Sequence, residues 1–179
     1  MGTFFAVLPV DEAADDLRTF HRPVLDGVRW EPVERLHVTI RYFSSIEATT
    51  LGRVIDAGAS VADSMAPPVV ALGPATERLG RDGTLVVPAR GVASIAVALD
   101  AALAAGGLDG VVEDRAEPFY GHLTLARLRR GARLPDEALG HELRASFLAR
   151  SLVLIESTHT SEGRRYETIF EAPFVGGGP

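Results

Sequence analysis

Leu36-His37-Val38-Thr39-Ile40 and Gly121-His122-Leu123-Thr124-Leu125 repeat one pattern: His, apolar, Thr, apolar. With eleven Thr and five His in 179 residues, two such matches are expected by chance about 0.002 times. Successive side chains on a strand point to opposite faces, so a His and a Thr two positions apart lie side by side while the residue between them enters the core. Each copy therefore presents an imidazole next to a hydroxyl. On a regular strand the same alternation adds Arg41 and Phe43 to the polar face of the first copy, with Leu36, Val38, Ile40 and Tyr42 turned away.

Reading outward, Thr3 to Leu8 is an apolar run that fits a buried strand, and Asp11 is placed to cap a helix carrying Leu17, Phe20 and Val24 inward. Leu36 to Phe43 is a second strand. Ser44-Ser45-Ile46-Glu47 has the spacing of a capping box opening a second helix. Val69 to Leu79 and Thr84 to Pro88 fit a hairpin around Gly80-Arg81-Asp82-Gly83, and Val92 to Leu103 recurs at helical spacing until Gly106-Gly107. Phe119 to Ala126 is a strand, a short helix is predicted after Pro135 with Leu139, Leu143 and Phe147, and strands at Leu152 to Thr158 and Tyr166 to Phe174 close the chain. Strands and helices mix without strict alternation, which predicts an α+β fold with mostly antiparallel strands and helices outside. No linker divides the chain, so residues 1–175 are expected to form a single domain and residues 176–179 a frayed tail.

The composition, 46% apolar and 23% charged, excludes disorder and leaves room for a substantial core. With no cysteine, there is no disulfide framework and no thiolate chemistry. The formal charge is −6, and all 18 basic residues are Arg. A protein that coats nucleic acid through a broad basic face is thereby excluded, whereas a local phosphate site built on the planar guanidinium group is not. Neither a signal peptide nor a membrane span is evident, which gives the expectation of a cytoplasmic protein.

If the two motifs face one cleft, it holds two His, two Thr and at least one Arg. Two imidazoles titrating near neutrality can act as base and acid in one displacement, one taking a proton from water while the other protonates the departing oxygen. Thr hydroxyls can bond the non-bridging phosphate oxygens, and Arg can stabilise the charge that develops on them. A cyclic phosphodiester suits this set, because its strained ring and neighbouring alkoxide lessen the need for a metal.

These residues resemble the two-histidine phosphoesterases, and within them the RNA 2′,3′-cyclic phosphodiesterases also described as 2′-5′ RNA ligases. The likeness runs through Phe4-Phe5-Ala6-Val7, Trp30 to Phe43, Pro118 to Arg127, Glu156-Ser157 and Gly163 to Tyr166. It implies a bilobal fold whose two pseudo-symmetric sheets face a groove. It also implies metal-independent hydrolysis of 2′,3′-cyclic phosphate ends of RNA, or of small cyclic nucleotides, to 2′-phosphates. His37 and His122 are then the catalytic pair, with His122 taken as base and His37 as acid, the roles exchanging in the ligation direction. Thr39 and Thr124 hold the phosphate, and Arg127 is the arginine that follows the second motif. No cofactor is implied, and a monomer is expected.

The chain departs from the family pattern in having Phe43-Ser44 after the first motif in place of Leu-Gly, and Gly121 in place of Pro before the second His. Phe43 or Tyr120 is a candidate to stack on a base. Arg127 has the wrong parity to share a face with His122 and Thr124 on a regular strand, so either the strand bulges there or Arg41 carries more of the phosphate binding. His21, His141 and His159 read as surface residues. Arg129, Arg130 and Arg133 read first as a solvated turn, and alternatively as a guide for an RNA strand. No His-Glu-x-x-His spacing or Gly-rich phosphate loop is present, so neither metal nor nucleotide triphosphate is expected. The competing reading is a binding module that holds RNA ends or a nucleotide in the same groove without turnover.

Overall fold

The computed structural model describes residues 2–80, 83–108, 118–161 and 163–176. Its strands are β1 (Gly2–Val7), β2 (Val28–Trp30), β3 (Val38–Phe43), β4 (Val69–Leu72), β5 (Glu77–Leu79), β6 (Thr84–Arg90), β7 (His122–Leu128), β8 (Ala145–Leu148), β9 (Ser151–Thr160) and β10 (Gly163–Pro173). The helices are α1 (Asp11–Thr19), α2 (Ala48–Ser64) and α3 (Ala93–Ala105). All strand pairs are antiparallel, in the order β10-β9-β1-β3-β7-β6-β4-β8, with β2 added to β7 and β5 to β6. The fold is α+β with a curled, mostly antiparallel sheet, as the sequence predicts. Among the described residues no helix is long and apolar enough to cross a membrane.

The two halves of the sheet meet at β3 and β7, where Val38 pairs with Leu123. These are the central residues of the two repeated motifs. Both side chains are fully buried, in one contiguous core with Phe5, Leu17, Val54, Ile95, Leu99 and Leu154. A fully buried Leu or Val contributes about 1.5–3 kcal/mol relative to exposure, so this seam is held from the helix side of the sheet. Helix α2 lies close against it: a Cβ on Gly58 would stand 2.5 Å from the Phe5 ring.

Several sequence expectations are corrected. Asp11 does not cap α1; it is the first helical residue, at φ 54°, and its carboxylate accepts two hydrogen bonds from Arg150 Nη2 at 2.6 Å. The Ser44 to Glu47 box stops short of α2, whose N-cap is Glu47 with no side-chain capping bond. No helix follows Pro135 beyond a 3₁₀ turn at Asp136–Ala138. Gly140, at φ 74°, interrupts the chain there, and Leu143 and Phe147 then serve the core from a β-bridge region and from β8. Their spacing of four satisfies strand parity as well as helical periodicity. Val28–Trp30, too short to announce itself in the sequence, is an added strand. β5 and β6 form the expected hairpin, and the Arg81-Asp82 part of its turn lies outside the described residues. Gly176, which the sequence assigns to the tail, donates to the Met65 carbonyl at 3.0 Å. Residues 177–179 lie outside the described residues.

Packing leaves room at position 121 for glycine alone. A Cβ there would stand 2.4 Å from the Ala89 carbonyl oxygen and 2.6 Å from Val92 Cγ2, so the chain entering the second motif packs directly on the end of β6. Gly121→Ala should therefore lower stability by about 1–3 kcal/mol, the usual cost of overpacking. In thermal denaturation this appears as a drop of roughly 2–12 °C in Tm for a domain of this size. An unchanged Tm would show that β6 yields freely at this contact.

Candidate active site

Each motif ends in a β-bulge at the same point. Between β1 and β3, Ala6 pairs with Thr39 but Phe5 pairs with Arg41, leaving Ile40 as the extra residue. Between β6 and β7, Val86 pairs with Thr124 but Leu85 pairs with Ala126, leaving Leu125 as the extra residue. A bulge of one residue shifts the alternation of every side chain beyond it. Ile40 and Leu125 both join the core, and the faces of the following residues are exchanged.

This corrects two expectations and decides between the alternatives for a third residue. Arg41, expected beside His37 and Thr39, is turned to the helix side, 7% exposed, with Nη1 3.6 Å from the Asp100 carboxylate of α3. Phe43, a candidate base-stacking ring, is likewise buried, edge-on to Phe5 at 6.2 Å between ring centres. Tyr42, expected inside, is exposed instead. The second bulge has the opposite consequence for Arg127. It brings the guanidinium onto the face of His122 and Thr124, near enough for its charge to lower the pKa of both His122 and His37.

Because Val38 pairs with Leu123 in an antiparallel register, His37 stands across from Thr124, and Thr39 across from His122. The sequence-predicted His and Thr residues thus occupy one patch of neighbouring strands. The two imidazoles are held in the same way. His37 Nδ1–H donates to the Arg35 carbonyl at 2.7 Å, and His122 Nδ1–H donates to the Tyr120 carbonyl at 2.9 Å. A carbonyl can only accept, so in each neutral ring the proton sits on Nδ1 and Nε2 keeps its lone pair.

Their surroundings differ. On the site's side of the sheet, Phe4, Ala6, Val153 and Ile155 form a small separate core that Tyr166 joins. His37 rests on it, stacked on Phe4 at 4.7 Å and edge-on to Tyr166 at 5.4 Å. Burial pushes the His37 pKa below the ordinary imidazole value. The Arg35 carbonyl opposes this, Arg127 and His122 reinforce it, and Glu31 opposes it. His122 is also lowered, first by burial and then by Arg127, against the pull of the Tyr120 carbonyl. Tyr120 stacks on His122 at 6.0 Å between ring centres, and its phenol donates to Glu77 Oε2 at 2.9 Å. Burial, followed by this bond, raises the phenol pKa. Tyr120 remains 45% exposed, so its ring is accessible from solvent.

Glu31 is the residue that sequence reasoning missed. It follows β2, whose Trp30 indole donates to the Pro23 carbonyl at 2.9 Å, and its own N–H donates to the Leu125 carbonyl at 2.8 Å. The carboxylate, only 18% exposed, accepts from Arg127 Nε at 2.9 Å. It thereby fixes the guanidinium beside the two imidazoles. The partnership joins residues 96 positions apart through a strand of three residues, and nothing in the local sequence signals it. Among the described residues no three His, Asp or Glu side chains come together as metal ligands. Glu31→Gln should lower the His37 pKa further, and more than that of His122, which the carboxylate reaches only through Arg127. Imidazole ¹⁵N shifts followed against pH check this, and equal movement of both rings would contradict it.

Three comparisons bear on this site. A family model described as LigT like Phosphoesterase matches residues 7–74, a span that includes the first motif. Comparison with curated proteins gives no match. Among solved structures, the Thermus thermophilus protein TT0787 superposes with a TM-score of 0.81 at 23% identity, covering 98% of this chain and 99% of its own. E. coli LigT in its apo form gives 0.68 at 20% identity, covering 96% of each chain. The MHV ns2 PDE domain gives 0.57 at 16% identity, covering 94% of this chain and all of that one. At these identities the structures establish the fold. The chain thus has the fold of these phosphoesterases over nearly its whole length, and residues 7–74, which hold the first motif, match the LigT-like phosphoesterase model.

Proposed function

We propose that the protein hydrolyses 2′,3′-cyclic phosphates, on RNA ends or on nucleotides, to 2′-phosphates without a metal, and that residues 1–175 act as one bilobal unit. The observation that carries this reading is the paired arrangement of two imidazoles, each with Nδ1–H bonded to a carbonyl, beside one shared guanidinium. Neutral His122 takes a proton from water at Nε2 as the water oxygen attacks phosphorus. The P–O3′ bond breaks, and protonated His37 delivers its Nε2 proton to O3′, leaving a 2′-phosphate monoester. Burial lowers the His37 pKa and so works against its imidazolium form, Glu31 partly offsets this at His37, and the assignment of roles follows the family resemblance. Thr39, Thr124 and Arg127 bond the non-bridging oxygens, and Tyr120 offers a ring on which a base can stack.

With a terminal 5′-hydroxyl in place of water the same ring opening, breaking P–O3′, forms a 2′-5′ linkage, and cleavage of that linkage back to the cyclic phosphate runs with the two imidazole roles exchanged. A nucleotide ligand is in keeping with E. coli LigT, whose structures include complexes with 3′-AMP, NADP+ and phosphate.

The test is release of 2′-phosphate from a 2′,3′-cyclic nucleotide in excess chelator. His37→Ala and His122→Ala should each reduce kcat by about 10²–10⁴. Loss of a hydrogen bond to a charged oxygen in Thr39→Val or Thr124→Val should cost roughly ten- to a hundredfold. The pH profile of kcat/KM should be bell-shaped, since one ring must be neutral and the other charged. Because both pKa values lie below the ordinary one, its maximum should fall below about pH 6.5. Chelator-sensitive turnover, or a profile without an acid limb, would contradict the proposal.

A further inference from the structure

Arg127 also lines a second space. At the far end of β7 it opens onto a cleft of about 790 Å³ whose charged lining is Arg78, Arg127, Arg129, Arg130 and Arg133, with no acidic side chain among the described residues. Two other clefts among the described residues mix signs: one carries Glu12 and Asp16 with Arg90 and Arg144, another Glu77 with Arg90. Arg78 is partly committed, donating to the Leu134 carbonyl at 3.0 Å and lying 3.2 Å from the Asp136 carboxylate. Arg129, Arg130 and Arg133 are exposed and have no carboxylate partner among the described residues.

Their loop is a defined turn. Arg129 N–H donates to the Gly27 carbonyl at 2.8 Å, Ala132 N–H donates to the Arg129 carbonyl at 3.0 Å, and Gly131 sits at φ 83°. In a chain of net charge −6, grouping guanidinium groups without carboxylate partners in one fixed turn works against folding by mutual repulsion, and a bound anion relieves it.

We infer that this cleft is a second phosphate subsite, which binds a phosphate covalently joined to the one at the imidazole pair. The inference rests on the phosphoesterase reading of that pair and adds the substrate class: molecules carrying a further phosphate beyond the reacting one. Arg127 is the link, because it borders both spaces. The Leu125 bulge shortens the advance from Thr124 to Arg127 to about two strand residues, about 7 Å, so the second phosphate sits beyond Arg127, on its far side from the first. Planar guanidinium forks suit a phosphodiester or a phosphate monoester equally. An internal phosphodiester of an oligonucleotide and the 5′-phosphate of a mononucleotide are the two sources.

The experiment compares kcat/KM for four substrates: a nucleoside 2′,3′-cyclic phosphate, its 5′-phosphorylated form, a dinucleotide and a longer oligonucleotide, both ending in the cyclic phosphate. Wild type should favour at least one of the substrates with a second phosphate by about tenfold or more, chiefly through KM. The preference should weaken with salt by a slope of about 0.7 per phosphate contacted. Gain already present in the 5′-phosphorylated mononucleotide identifies a terminal phosphate as the ligand, and gain only in the dinucleotide or longer identifies a phosphodiester. Combined Arg129→Gln, Arg130→Gln and Arg133→Gln should abolish the preference while leaving kcat/KM for the simple cyclic nucleotide within about twofold. The single charge reversal Arg130→Glu should weaken it in the same sense.

Equal kcat/KM for all four substrates in wild type, or an equal loss on all four in the triple variant, would overturn the inference. Binding of a nucleoside 2′-phosphate and of an oligonucleotide ending in a 2′-phosphate is measured alongside. If nothing is turned over, the hydrolytic reading fails, and the affinity difference between these two ligands, with its loss in the triple variant, still decides the cleft.

Discussion

The pairing of Val38 with Leu123 is the constraint on which the site depends. It is the point where the two halves of the sheet join, and it lies at the centre of both repeated motifs. Burial of these two side chains sets the register of β3 against β7. Register in turn sets which residues rise on the opposite face. With the apolar residues facing the helices, each His must stand across from the other motif's Thr. A slip of one position would send the imidazoles into the core and the aliphatic side chains into solvent. The arrangement of polar groups is thus a consequence of apolar packing on the other side of the sheet.

The bulges at the end of each motif are the second determinant, and they mark where the sequence stops being legible. Strand alternation puts His37, Thr39, His122 and Thr124 on one face because those residues precede the bulges. It fails for Arg41, Tyr42 and Phe43, which follow the first, and it leaves Arg127 open until the second is seen. A one-residue insertion into a ladder has no local signature when, as with Ile40 and Leu125, the inserted residue is as apolar as its neighbours. The same limit applies to the region after Pro135, where spacing by four fits two structures and only Gly140 argues for one. The long helices α2 and α3 and the outer strands β9 and β10 were readable because their patterns extend over enough residues to exclude the alternative.

The electrostatics follow from this geometry. His37 lies on a small apolar floor contributed by β1, β9 and β10, and His122 lies against Tyr120, so both rings are driven toward their neutral forms. Arg127 adds to that drive, and Glu31 both holds Arg127 and offsets its influence on His37 alone. Two rings bonded through Nδ1 in the same way are therefore made inequivalent by a carboxylate that reaches one of them. That asymmetry is what the proposed acid and base roles draw on. It arises from β2, a strand of three residues laid along β7 and anchored by Trp30.

The central claim is that both Nε2 atoms engage a single phosphate. Its most direct test is titration of ¹⁵N-histidine-labelled protein with one equivalent of a nucleoside 2′-phosphate, observing the ring nitrogens of all five His. The account predicts that the Nε2 signals of His37 and His122 shift together at the same stoichiometry, with both Nδ1–H groups retained, while His21, His141 and His159 stay in place. A response from only one of the two rings, or from neither under saturating ligand, would contradict it.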